Sequence, residues 1–103
     1  MTGLLDLSAP AWETYQSLRA DGGELAERVK QGLEWLVEDP AAVRAHSGSQ
    51  RYQIIERWLG EGPQVWSLPV AGPEGDSWII VWRQMSQVVE VGYIGRAPVP
   101  SSA

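Results

Sequence analysis

The sequence predicts an α+β domain in which a short N-terminal strand and an αα-hairpin pack on a C-terminal antiparallel β-sheet. Three observations predict it. Residues 64–96, QVWSLPVAGPEGDSWIIVWRQMSQVVEVGYIGR, hold three β-type runs separated by two turn-forming clusters. The middle run, Trp78 to Trp82, is apolar on both faces, as expected of a central strand covered on both sides. Residues 9–38 instead show helical spacing of apolar side chains.

In chain order, Leu4-Leu5-Asp6-Leu7 is a short apolar segment suited to an edge strand. Ser8 followed by Pro10 is a helix start signal, because serine caps the first turn and proline fits it. The first helix is expected from about Ala9 to Arg19, with Trp12, Tyr15 and Leu18 on its inner face. Asp21-Gly22-Gly23 ends it, and Asp21 and Glu24 have capping-box spacing at the entry to the second helix. That helix carries an apolar stripe of Leu25, Val29, Leu33, Leu36 and Val37, while its charged residues form a solvated face. Asp39-Pro40 marks a break and a restart, with about one more turn over Ala41 to Ala45.

Residues His46 to Ser49 read as loop. The segment Gln50 to Leu59 fits two periods: Tyr52, Ile55, Trp58 and Leu59 suit a helix, Tyr52 and Ile54 a strand. A short helix is the preferred reading. Gly60 to Pro63 punctuates before the sheet, where Trp66, Leu68 and Val70 alternate with Val65, Ser67 and Pro69. Ala71 to Asp76 is a loop, Arg83 to Gln87 makes a hairpin turn, and Val88 to Ile94 is the last strand. Gly92 and Gly95 read as turn or bulge residues, and Ala97 to Ala103 as a frayed tail.

A chain of 103 residues is expected to be one domain, able to bury roughly two-thirds of its unfolded surface. It has no cysteine, no apparent signal peptide and no run of about 18 apolar residues, so a cytoplasmic, non-membrane protein is expected. The net charge of −5 is unevenly spread. Residues 1–43 hold eight carboxylates against Arg19, Arg28 and Lys30, whereas residues 44–103 hold five against five arginines. This acidity argues against tight, nonspecific binding of nucleic acid.

Few residues point to chemistry. His46 lacks the companions of a metal site or a general base, so a solvated loop histidine is expected and no metal or cofactor. The six tryptophans suit core packing better than base stacking; Trp12, Trp66, Trp78 and Trp82 all lie on apolar stripes. Trp35 lies on the flank of its stripe, and with Trp58 it is the candidate for a protein-partner surface.

The order of a strand, two helices ending in an acidic-Asp-Pro turn and a three-stranded meander resembles the RelE/ParE superfamily of bacterial toxins. LSAPAWETYQSL is similar to the family's opening strand and first helix, VKQGLEWLVEDPAAVR to its second helix, and VWSLPV, SWIIVW and VVEVGYIGR to its last three strands. The resemblance covers nearly the whole chain through strings that are mostly apolar periodicity. It implies a small toxin neutralised by a partner antitoxin, acting by ribosome-dependent mRNA cleavage or by inhibiting gyrase. Carried over by motif, Tyr93 and Arg96 match the basic, aromatic end of the last strand, and Arg83 stands on the strand before it. In such a site arginines hold the scissile phosphate and Tyr93 carries a proton. Arg51 and Arg57 are the further target-binding candidates. Trp78 stands where nucleolytic members commonly have arginine, which keeps gyrase inhibition equally open. It also keeps open a different class, a toxin fold retained as a non-catalytic protein-interaction module.

Overall fold

The computed structural model describes residues 4–45, 48–49, 65–72, 75, 77–85 and 87–96. The described chain runs β1 (Leu4–Leu7), α1 (Ala9–Asp21), α2 (Glu24–Glu38), α3 (Pro40–Ala45), β2 (Gly48–Ser49), β3 (Trp66–Ala71), β4 (Ser77–Met85) and β5 (Val88–Arg96). The strands form one sheet in the order β1-β5-β4-β3-β2. The expected α+β class and the β3-β4-β5 meander are both present. The sheet as a whole is mixed, not antiparallel, because β1 pairs parallel to β5, from Leu4 beside Val88 to Leu7 beside Val91. A parallel neighbour needs a long crossover, and the helices of residues 9–45 lie within it.

β4 is the centre of the sheet and is closed to solvent on both faces. Ile80 and Trp82 face the helices and are fully buried; Ile79, Val81 and Arg83 on the opposite face are buried too. Its partners supply the rest of the helix-side core: Leu68 and Val70 from β3, and Val89, Val91 and Ile94 from β5. On β5 these apolar residues do not keep one alternation. Val81 stands opposite Tyr93 but Trp82 opposite Val91, so Gly92 is an extra residue on β5, a bulge as its glycine suggested. The bulge switches parity, and Ile94 therefore joins Val89 and Val91 on the helix side.

α2 presents its expected stripe. Val29, Leu33 and Leu36 are buried with Ala26 and Gly32, while Leu25 and Val37 flank them half-buried. α1 departs from expectation. Its only buried residue is Ala11, with Tyr15 and Leu18 half-buried against the core, and Trp12 is 45% exposed. At 3.6 residues per turn the face that stays in register is i, i+4, i+7, here Ala11, Tyr15 and Leu18. Trp12 lies a hundred degrees off it, and an alanine is what lets the helix sit close to β5.

The junctions show how local chemistry fixes these positions. Ser8 caps α1, its Oγ accepting from the Ala11 N–H at 3.3 Å. The same hydroxyl donates to the Gly92 carbonyl at 3.0 Å, and the Ser8 N–H donates to the Val91 carbonyl at 2.8 Å. One residue thus ends β1, starts α1 and ties both to the bulge. α1 runs on to Asp21, two residues beyond the expected end, and turns through Gly22 and Gly23 at positive φ, where a side chain would be strained. The expected Asp21 capping box is therefore not formed: Asp21 is still helical and Gly23 is the N-cap of α2, with no side-chain cap. Asp39 does cap α3 through Oδ1 and the Ala42 N–H, with Pro40 in the first turn.

Boundaries in the sheet differ as well: Ala71, expected in the loop, ends β3, and β5 runs on past Ile94 to Arg96. Gly48–Ser49, expected as loop, pairs with Trp66 and Ser67 as a two-residue edge strand. The β4–β5 turn is tighter than expected, because Arg83, Gln84 and Met85 all belong to β4. Among the described residues β2 pairs only with Trp66 and Ser67, so Pro69 has β4 as its one neighbour, the kind of position where a sheet tolerates proline. The Gln50 to Leu59 segment lies outside the described residues.

Replacing Ser8 by alanine removes the cap and the bond to Gly92 together. Its expected cost is about 1–2 kcal/mol, read from the midpoint of denaturant unfolding. Trp82→Ala, which empties the largest fully buried side chain, is expected to cost about 3–5 kcal/mol in the same assay.

Candidate functional site

The residues proposed for chemistry lie on β4 and β5, and the pairing of those strands decides where each one points. Arg83 stands opposite Glu90, Val81 opposite Tyr93, and Trp78 opposite Arg96. Side chains alternate along a strand, so Arg83 and Tyr93 share the face turned away from the helices, about 7 Å apart along the strand direction. Arg96 shares the other face with Trp78, which packs against the helix-side core. The bulge at Gly92 produces this separation.

Each of the three is also engaged locally. Arg83 Nη2 lies 3.2 Å from Glu90 Oε1, and the pair is largely withdrawn from water, at 9% and 22% side-chain exposure. A guanidinium held this way is balanced by its own carboxylate, which weakens any pull on a phosphate. The Tyr93 hydroxyl donates to the Arg96 carbonyl at 3.0 Å. Its ring lies over Gly95, where a Cβ would come within 2.5 Å of Tyr93 Oη. Glycine at 95 is what lets the tyrosine lie down along the strand. The Arg96 side chain is exposed at the end of β5.

Arg83, Tyr93 and Arg96 therefore do not converge on one reacting atom. Arg51, Arg57 and Trp58, like His46, lie outside the described residues. Among the described residues no three of His, Cys, Asp or Glu come together where they could hold a metal ion, and no helix is long and apolar enough to cross a membrane.

Trp35 is half-buried rather than exposed, and packs against the core. With Arg28, Gly32, Leu68 and Val70 it lines a groove of about 410 Å³ between α2 and β3. Arg28 closes one end, donating to the Ala71 carbonyl at the end of β3 and to Glu24 one turn earlier. Among the described tryptophans the exposed one is Trp12, which the sequence placed in the core. The signal available was Ala11: counting alanine as apolar gives the i, i+4, i+7 stripe that leaves Trp12 outside. No family model, curated protein or solved structure matches this chain.

Removing one member of the buried pair exposes its balance. Glu90→Ala is expected to destabilise by about 2–3 kcal/mol in denaturant unfolding, because the cation stays behind. The double change Arg83→Met with Glu90→Leu is expected within about 1 kcal/mol of the parent, since neither desolvated charge remains.

Proposed function

We propose that this chain is a RelE/ParE-like toxin component of a toxin–antitoxin pair, held by a protein partner and acting on its target by binding rather than by cutting RNA. The observation that supports the reading is the path of the chain. A strand, a helical pair and a three-stranded meander follow one another, with the first strand laid beside the last. That succession is the one on which the resemblance rests, and it spans the two ends of the described chain. Binding is preferred to cleavage because Arg83 is balanced by Glu90, the Tyr93 hydroxyl is occupied by a backbone carbonyl, and Arg96 points from the other face. Acid–base cleavage needs a proton carrier and a phosphate-holding cation at one atom. A gyrase-type target asks only for a complementary surface.

A second reading has its own support. In a non-catalytic interaction module that keeps a toxin fold, the net acidity of the helical half and the exposed Trp12 serve partner binding and no toxic target exists.

Induced expression of the chain in a bacterial host separates these readings. The proposal expects growth arrest with full-length cellular mRNA by primer extension, and arrest retained in Tyr93→Phe. Healthy growth at high expression would remove the toxin reading and leave the interaction module. Fragmented mRNA, with fragmentation lost in Tyr93→Phe, would replace binding by cleavage.

A further inference from the structure

We propose that the outer edge of β1 and the apolar groove behind it bind an extended, lysine- or arginine-bearing segment of another protein as an added strand. The inference rests on the reading above only for the existence of a protein partner; it names the surface and the chemistry of the segment that fits it.

Among the described residues the exposed large hydrophobic side chains are Leu4 and Trp12, at 67% and 45% exposure, and both lie at this edge. Among the described residues β1 ends the sheet and has a neighbour, β5, on one side. The Leu4 N–H donates to the Gln87 carbonyl at 3.1 Å and the Ser8 N–H to the Val91 carbonyl at 2.8 Å, so residues 4, 6 and 8 turn their backbone towards β5. By the same alternation the N–H and C=O groups of Leu5 and Leu7 point outward from the sheet. Exposed edges are ordinarily guarded by shortness, by charged side chains, by proline, a bulge or a covering element, and an acidic guard repels another acidic strand while admitting a basic one. β1, with the sequence LLDL, carries only Asp6.

Behind the edge, Leu5, Leu7, Trp12, Leu33 and Val37 line a groove of about 360 Å³ between β1, α1 and α2. An added strand would bond to Leu5 and Leu7 and send alternate apolar side chains into that groove, the pattern by which extended peptides are taken up at sheet edges.

Charge selects the occupant. Glu34 and Glu38, both exposed, border the groove; Lys30 beside them is already 3.9 Å from Glu34. Residues 1–43 as a whole carry −5. A second copy would bring an equally acidic surface against this one, and a nucleic acid or anionic lipid would be repelled in the same way. A segment alternating apolar and basic residues is attracted, with its cations over the glutamates and its apolar side chains inward.

The test uses the full chain, isotope-labelled, and a synthetic peptide of about six residues alternating leucine and lysine. A second peptide carries glutamate in place of lysine. The lysine peptide is expected to slow amide hydrogen exchange at Leu5 and Leu7 by about tenfold or more and to shift the Trp12 indole resonance. Combined Glu34→Lys and Glu38→Lys substitutions are expected to weaken its binding roughly tenfold, and Trp12→Ala is expected to weaken it as well. The proposal is overturned if Leu5 and Leu7 are not protected, or if the glutamate peptide protects them equally. It is also overturned if they are protected in the free chain in proportion to its own concentration, the mark of a second copy. A chain that arrests growth yet ignores the lysine peptide loses this surface alone; one that takes the peptide without arresting growth keeps the surface and loses the toxin reading.

Discussion

One unpaired residue in the last strand, Gly92, governs the arrangement of everything around it. Before the bulge Val89 and Val91 face the helices; after it Ile94 does. With strict alternation Ile94 would turn to the opposite face and the larger, hydroxyl-bearing Tyr93 would stand beside Ile80 in its place. The bulge also presents two successive carbonyls, Val91 and Gly92, to the backbone and hydroxyl of Ser8. That contact joins residues more than eighty positions apart and sets the point where β1 becomes α1. The start of α1 is thereby fixed against β5, just where the parallel pairing of β1 ends.

The same bulge decides which of the candidate residues share a face: Tyr93 sides with Arg83, and Arg96 does not. Tyr93 and Arg96 differ by three positions and, within one regular strand, already face opposite ways. Without the inserted residue, Arg96 would share a face with Arg83; with it, Arg96 sides with Trp78. Arg83 is then left to Glu90, its direct cross-strand partner, in a nearly dry environment. What the molecule presents to water instead is an acidic helical half and an edge strand backed by Trp12. Those features suit association with another protein better than chemistry on a small substrate.

Much of the fold was legible because it rests on period and local chemistry. The doubly apolar run 78–82 identified the central strand, the stripe Val29, Leu33, Leu36 identified the inner face of α2, and Ser8 and Asp39 announced their caps. What was not legible depends on partners distant in sequence. Nothing in Leu4–Leu7 says that it will lie parallel to Val88–Val91, and Gly48–Ser49 is a strand only because Trp66 and Ser67 are beside it. On α1 the large side chain attracted the reading, yet close packing against β5 selected the small one, Ala11. Asp21 had the spacing of a cap, but the helix before it used that residue as its own last turn. The candidate site was legible in residue types alone. Whether Arg83, Tyr93 and Arg96 meet is decided by register, which composition does not carry.

Cross-strand backbone contacts in solution, read as nuclear Overhauser effects between β4 and β5, test this account most directly. The account predicts contacts pairing Val81 with Tyr93 and Trp82 with Val91, none pairing Gly92 with either, and contacts from Ser8 to Val91 and Gly92. Regular pairing of Val81 with Gly92 and of Ile80 with Tyr93 would contradict it, because Arg96 would then move to the face of Arg83 and Ile94 away from the helices.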